Sequence, residues 1–512
     1  MKLPIPSLAV DDAADAEQLD WTPGVPVPDN PLRWGDRFPD AADKTLRNTQ
    51  MRANLSKATT TIRNKRGMRV EETPDWEQLR ADASRIKHYT MSHLPELLEQ
   101  MERNVIARGG IVHWARNGDE ANQIVHKILL DKQVDEVVKV KSMVSQEINL
   151  NKYLEDRGIK AWETDLAEMI VQLSEDMPSH IVVPAIHRNR AEVRAIFKAR
   201  MGDAPDDLGT EPRELTMAAR AHLRRKFLHS PVAISGSNMM IAETGTCSVF
   251  ESEGNGRMCL TLPDTLISIV GIEKIVPTFR DAEVFAQLLP RSATGERMNP
   301  YTSLWTGVTP GDGPQEFHLI LLDNGRSDVL GQTVGREALH CIRCGACMNA
   351  CPVYEHTGGH AYGSVYPGPI GSVLTPQLLR TTDHDDPATT LPYACSLCNA
   401  CAEACPVKIS LPEMLVDQRH KVTEASRGGI PDVWDLAMWA TSHIMDTGQH
   451  FDTATSNIGL ARPLGGRKHV IRSLPWPGSM WTGHHDLPAP PAQTFRRWWA
   501  AEEDETSKEA QQ

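Results

Sequence analysis

The chain has little of what would carry it into a membrane or onto a nucleic acid. Its longest apolar runs, LISIVGI at 266–272 and HLILL at 318–322, are the size of strands and far short of a bilayer span. Positive charge is in deficit: 54 Lys and Arg against 67 Asp and Glu leave a formal net charge of −13, whereas phosphate backbones ask for a basic footprint. The one basic stretch, Lys44 to Arg69, carries no aromatic residue to stack on a base and reads as a solvated helix face. No Gly-x-Gly-x-x-Gly or P-loop occurs, so a nucleotide fingerprint is lacking. Nor does the N-terminus show a charged segment followed by an apolar one, so no secretory signal is expected. No nucleic acid and no transmembrane segment are therefore expected, and the cytoplasm is the expected compartment, with membrane contact only through partners.

Cysteine is scarce too, with ten in 512 residues, but eight of the ten fall into two copies of one pattern, C-x₂-C-x₂-C-x₃-C-P. The first is Cys341, Cys344, Cys347, Cys351 and Pro352; the second is Cys395, Cys398, Cys401, Cys405 and Pro406. This run holds cubane [4Fe–4S] clusters in bacterial two-cluster ferredoxins, where the fourth cysteine serves the other cluster. Three closely spaced thiolates wrap three irons in a tight loop, and soft sulfur suits iron in such clusters. The proline after the fourth cysteine opens the next segment with a fixed φ. The expectation is two [4Fe–4S] clusters, one on Cys341, Cys344, Cys347 and Cys405, the other on Cys395, Cys398, Cys401 and Cys351. Zinc knuckles and a secreted disulfide framework both fit this spacing and length poorly. Cys247 and Cys259, outside the runs, read as buried inert thiols.

Along the chain, residues 1–40 are rich in Pro, Asp and Ala and read as an extended or disordered arm. A helical lead follows over 41–69, with further helical pattern to about 107. Short apolar strands then alternate with amphipathic helices: strands at 109–115, 134–142, 159–165 and 180–186, and helices that include one with Asp119 as N-cap, one near 145–157 and one at about 212–228. Such alternation predicts an α/β fold on a largely parallel sheet. Denser apolar stretches through 232–277 supply the remaining strands, and 316–323 looks like a late strand, with 311–334 serving as connecting strand and linker. Residues 335–412 hold the clusters, mostly on helices. Between the cysteine runs a long Gly/Pro-rich loop, TGGHAYGSVYPGPIGSVLTP, is expected to shield the clusters or meet a partner. Residues 413–500 form a helical, Trp-rich region whose Trp476, Trp481, Trp498 and Trp499 either pack on this chain or form a subunit interface. The tail 501–512 reads as disordered.

One polar segment of the α/β part stands out, residues 234–257. Ser235 to Asn238 follow a strand and are expected to precede a short helical piece, where backbone amides can meet an anion. Glu243 to Thr246 then lead into another strand. Glu253, Asn255 and Arg257 are expected in a tight turn, either a ligand-binding turn ending on a guanidinium or a plain Asn-Gly hairpin turn. Lys141 and Ser142 at a strand end, with Glu147 just beyond, complete the candidates, since open α/β sheets bind ligands at strand carboxyl ends. His113, His180 and His187 have no ligand-like spacing and read as structural.

Taken together, AETGT (242–246), EGNGR (253–257), DNGRSDVL (323–330), REALHCIRCGACMNACPVY, the GGHAYGSVYPGPIG segment, the second cysteine run and TFRRWW (494–499) resemble the lactate utilization protein B family from about residue 40 onward. The resemblance implies that 70–310 is a LUD domain, similar in fold to ribose-phosphate isomerase and CoA-transferase-like proteins. It also implies two partners, a cysteine-rich subunit with CCG motifs and a smaller LUD-domain subunit. The implied activity is an iron–sulfur electron-transfer subunit of an L-lactate dehydrogenase complex that turns lactate into pyruvate. Two alternatives stand beside it. In one the LUD domain itself is the catalytic, small-anion-binding site; in the other the electrons come from a different 2-hydroxy acid such as glycolate. The resemblance assigns no catalytic residue.

Overall fold

The computed structural model describes residues 21, 24–426, 433–456, 458–476, 478–483 and 485–509. They form two compact units, one reaching to Ser426 and the other from Arg427 onward. Most of the N-terminal arm lies outside the described residues.

Four helices lead in, Phe38–Leu46, Thr49–Glu71, Trp76–Ser92 and Leu94–Ala107. Ten strands follow in this unit: β1 Ile111–Ala115, β2 Glu136–Lys139, β3 Lys160–Glu163, β4 Val232–Ser235, β5 Met239–Ile241, β6 Thr246–Glu251, β7 Thr265–Gly271, β8 Ile275–Val276, β9 Tyr301–Trp305 and β10 Glu316–Leu322. Six of them make a sheet in the order β1-β10-β7-β4-β2-β3, every neighbouring pair parallel. All seven residues of β7 and all four of β4 are buried, as expected of parallel strands covered on both faces. Alternation still sorts the faces: Leu266 and Val270 join one core and Ile267 and Ile269 the other. A second, four-stranded sheet runs β8-β5-β6-β9. The 316–323 segment is thus no mere connection. It is β10, lying between β1 and β7, so the α/β domain runs past residue 310.

Several sequence expectations need correcting. The helix Gly118–Asp131 is capped by Asn117, whose side chain accepts the Glu120 amide, and Asp119 sits inside its first turn. Asn149, with φ of 53°, breaks the 145–157 helix into Met143–Glu147 and Leu150–Glu155. Residues 180–186 form no strand: Nδ1 of His180 takes the amides of Val182 and Val183 at 3.0 Å each, two that a ladder would need, and Pro184 has none to give. Ser235 to Asn238 lead into strand β5, with no helical piece between. The Asn255-Gly256 pair is no hairpin turn; Gly254, with φ of 81°, opens the helix Asn255–Thr261.

The Gly/Pro-rich segment between the cysteine runs is the largest departure. It contains a buried helix, Gly368–Leu379, with proline in its first turn, where no amide partner is needed. Gly371 is required there: a Cβ would stand 1.5 Å from the carbonyl oxygen of Tyr366. The helix Leu411–Ser426 also belongs to the first unit, with Leu411, Met414, Leu415 and Val422 buried.

In the second unit, helices span Val433–Met445, Gly448–Thr455 and Phe495–Glu509, and β11 Val470–Ile471 pairs antiparallel with β12 Leu487–Pro488. The last helix carries most of the tail that reads as disordered in sequence. Trp476, Trp481, Trp498 and Trp499 are exposed. Among the described residues no helix is long and apolar enough to cross a membrane.

Candidate iron–sulfur centres

Each cysteine run starts on a loop and ends on a short helix, Ala346–Ala350 in the first and Ala400–Ala404 in the second. In both runs the amide two residues past the first cysteine turns inward. Arg343 N donates to Cys341 Sγ at 3.4 Å and Leu397 N to Cys395 Sγ at 3.2 Å. After the fourth cysteines, Tyr354 N donates to Cys351 Sγ at 3.5 Å and Ile409 N to Cys405 Sγ at 3.4 Å.

The thiols gather across the two runs. Cys341, Cys344, Cys347 and Cys405 line one hollow, partly open to solvent, walled by Ile181, Ile370 and Leu411. Cys351 lies within electrostatic reach of Cys395 and Cys398, and Cys401 of all three. Cys405 thus lies with the first three cysteines of the other run, and Cys351 with Cys395, Cys398 and Cys401. Burial pushes the Cys344 and Cys401 thiols up to about 12 and those of Cys351 and Cys405 to about 11, with neighbouring sulfurs adding to the effect. Four thiolates so packed need a cationic core to exist together, which iron supplies.

The residues fit such a group on a second count. Arg343 Nη1 and Arg66 Nε beside the first set are buried with no hydrogen-bond partner among the described residues. So is the Tyr362 hydroxyl, which lies among Cys351, Cys395 and Cys347. A cubane's sulfurs are the acceptors such donors lack.

The α/β sheet meets the first set at its carboxyl edge. Arg326, just beyond β10, is 1% exposed and forks onto Glu147 with Nη1 and Nη2 each at 2.9 Å, while its Nε reaches Glu273 at 2.6 Å. Gly271 makes room for this, since a Cβ there would stand 2.6 Å from Arg326 Nε. The Tyr366 hydroxyl donates to Glu147 at 2.5 Å. Arg343 lies 3.6 Å from Glu273 and over the Tyr366 ring at 4.9 Å. Lys274 Nζ donates to the Cys341 carbonyl at 3.3 Å and Lys87 Nζ to the Glu273 carbonyl at 2.6 Å. Burial pulls Lys274 down to about 7 and Lys87 to about 8, against the attraction of Glu273. Glu273 is held down at about 2, its burial more than offset by Arg326 and its other cationic neighbours.

The candidates on the α/β domain are scattered, and most have local work. Glu147 belongs to the network just described and is not free for a ligand. Lys141 Nζ donates to the Val182 carbonyl at 3.0 Å, and Ser142 caps the helix Met143–Glu147. Ser235 donates to the Gly236 carbonyl. Asn238 Oδ1 accepts the Phe250 amide, Glu243 the Phe279 amide and Glu253 the Leu166 amide. Thr246 shares hydrogens with Thr244 and Thr306. Asn255 donates to Thr164. Arg257 is exposed, lies over the Tyr301 ring at 5.1 Å and reaches Ser303 Oγ at 3.3 Å.

Lys141, Ser142 and Ser235 do share one place. Strand β2 has β3 on one side and β4 on the other, so the sheet reverses between β2 and β4, the usual crevice for ligands in such sheets. Sequence reasoning missed Glu168 here, whose Oε1 is buried without a partner among the described residues. Burial, then the charge of Glu163, pushes it up to about 7. An acid within the apolar helix Leu166–Leu173 was its one signal.

Cys247 and Cys259 are buried, and burial pushes both thiols up to about 12. The histidines are partnered: His113 with His318 at 3.0 Å, His180 with Asn349 at 3.2 Å and His187 with Asp176 at 2.8 Å. Asp176, His187 and His360 converge closely enough to suggest a metal site. Arg188 Nη2, 2.7 Å from Asp176, brings its positive charge to the same carboxylate.

Comparison with known proteins decides the family. A LUD domain model matches residues 98–322 and a 4Fe-4S dicluster domain model residues 337–409. Lactate utilization protein B of Shouchella clausii is 42% identical over 91% of this chain and 97% of its own length. That of Bacillus subtilis is also 42% identical, over 93% and 98%. The chain belongs to the lactate utilization protein B family. Family membership brings with it the LUD α/β domain followed by a domain with two [4Fe–4S] clusters. A crystal structure of a DUF162 family protein from Deinococcus radiodurans covers 45% of this chain and 98% of its own at 15% identity, with a TM-score of 0.26, too low to carry an argument.

Proposed function

We propose that the chain is the iron–sulfur electron-transfer component of a complex that oxidises L-lactate to pyruvate. Membership of the lactate utilization protein B family gives it a role in lactate utilization. The observation that carries the finer reading is the pair of four-thiol sets joined across the runs, each beside a buried donor that lacks an acceptor.

When bound, two cubanes supply one-electron acceptance and release, which matches a two-electron donor to one-electron carriers. The protein's share is to hold the eight thiolates, to line the first set with the apolar Ile181, Ile370 and Leu411, and to brace it against the sheet through Arg343 and Glu273. The proposed partners are a CCG-motif cysteine-rich subunit and a smaller LUD-domain subunit, with the small 2-hydroxy acid bound within the complex.

Growth tests the proposal. A strain that uses L-lactate through this system and lacks the gene should regain growth on L-lactate with the intact chain but not with Cys344→Ser. Equal growth with Cys344→Ser would contradict it.

A further inference from the structure

The two cysteine runs fold as near copies. Arg343 and Leu397 hold the same place, two residues after the first cysteine, with φ of 60° and 56°. Gly345 and Asn399 follow with φ of 73° and 68°. Since the backbone repeats, any difference between the two clusters must come from the side chains around them.

Those side chains differ in charge. Beside the set Cys341, Cys344, Cys347 and Cys405, the guanidinium of Arg343 is 8% exposed. Arg80 Nε donates to the Cys405 carbonyl at 2.9 Å, and Arg66 Nη2 to the Ala404 carbonyl at 2.9 Å. At the other set, the counterpart of Arg343 is Leu397, apolar and 42% exposed, next to an exposed Cys398. Arg419 Nη2 reaches the Cys395 carbonyl at 3.2 Å, and the buried donor is the neutral Tyr362 hydroxyl.

We propose that Arg343 and Tyr362 make the two clusters inequivalent, so that in the half-reduced protein the electron rests on the cluster beside Arg343. The inference rests on the two-cluster electron-transfer reading. Reduction adds negative charge, and a fixed buried cation favours the more negative state. Arginine keeps its charge at any working pH. Solvent near Cys395 and Cys398 favours reduction of the second cluster, and the proposal is that the fixed cations at the first outweigh it. Arg343, Arg66 and Arg80 stand together at the first, against the one buried carboxylate of Glu273, 3.6 Å from Arg343. Tyr362 gives its cluster one neutral hydrogen bond, a weaker contribution of the same sign.

The test is a redox-poised EPR titration of the full chain, assembled anaerobically and assayed for iron. The wild type should show two one-electron steps. Arg343→Gln should lower the upper step by at least tenfold in its reduction equilibrium, 59 mV for one electron, and leave the lower step in place. Arg343→Lys, which keeps the charge, should recover most of that loss. Tyr362→Phe should lower the lower step alone, by less. A shift of the lower step in Arg343→Gln, no shift at all, or Arg343→Lys behaving as Arg343→Gln would overturn the proposal. If Arg343→Gln does not assemble, Arg343→Lys and Tyr362→Phe decide: Tyr362→Phe must move only the lower step, and Arg343→Lys must keep the upper one. A chain that shows this pattern with chemical reductants, yet takes no electrons from lactate with its partners, would sink the lactate reading and leave this one standing.

Discussion

At the scale of single residues, Arg326 ties the sheet to the cluster-bearing domain. It holds two fully buried carboxylates, Glu147 and Glu273. Removing one partner of a buried ion pair typically costs about 3–5 kcal/mol, because the other charge stays buried. Arg326→Met is therefore expected to lower the anaerobic unfolding midpoint well beyond a surface substitution such as Arg103→Met. An unchanged midpoint would contradict the role given to the network. Half of this network was visible in sequence. Glu147 stood out as a polar residue near a strand end, but its partner lies 179 residues further on. Nothing local distinguishes a ligand-binding carboxylate from one that Arg326 will neutralise. The eight cluster cysteines were legible for the opposite reason: each run packs its ligands into a short stretch whose spacing the cubane itself dictates.

At the scale of elements, the helix Leu166–Leu173 carries a pH-dependent cost. Glu168 has a folded value of about 7, above its usual 4.5. Between those values the folded state holds the proton that the unfolded state has lost, so stability falls as pH rises through this window. The span corresponds to about 3 kcal/mol at most. Glu168→Gln should remove that fall, so that the variant gains on the wild type from pH 5 to 8 in denaturant titrations of the anaerobic protein. A constant difference across that range would contradict the assignment. The same titrations with L-lactate added test the crevice between β2 and β4: ligand-dependent stabilisation lost in Glu168→Gln would mark a small-anion site there. Elements were legible where burial is two-sided and the run is apolar, as in β7 and β10. They were misread where tertiary packing overrode local signals. The 180–186 segment looks like a strand until His180 takes two of its amides. The Gly368–Leu379 helix looks like a loop because its glycines and prolines answer to close packing against Tyr366.

At the scale of the molecule, the LUD domain and the cluster domain share one unit and one hydrophobic core, with Leu266, Val270, Cys347 and Tyr366 in the same cluster of buried side chains. The LUD sheet turns the carboxyl end of β7 toward the cluster set that holds Cys341, through Glu273 and Lys274. That arrangement could not be read from either motif alone, because the linking residues lie in both domains. It gives the electron-transfer reading its most direct test. The chain, co-purified anaerobically with the two proposed partner subunits, is treated with L-lactate while the cluster EPR signal is followed. The account predicts reduction by L-lactate and not by D-lactate or glycolate; a silent signal with L-lactate, in protein whose clusters dithionite does reduce, would contradict it.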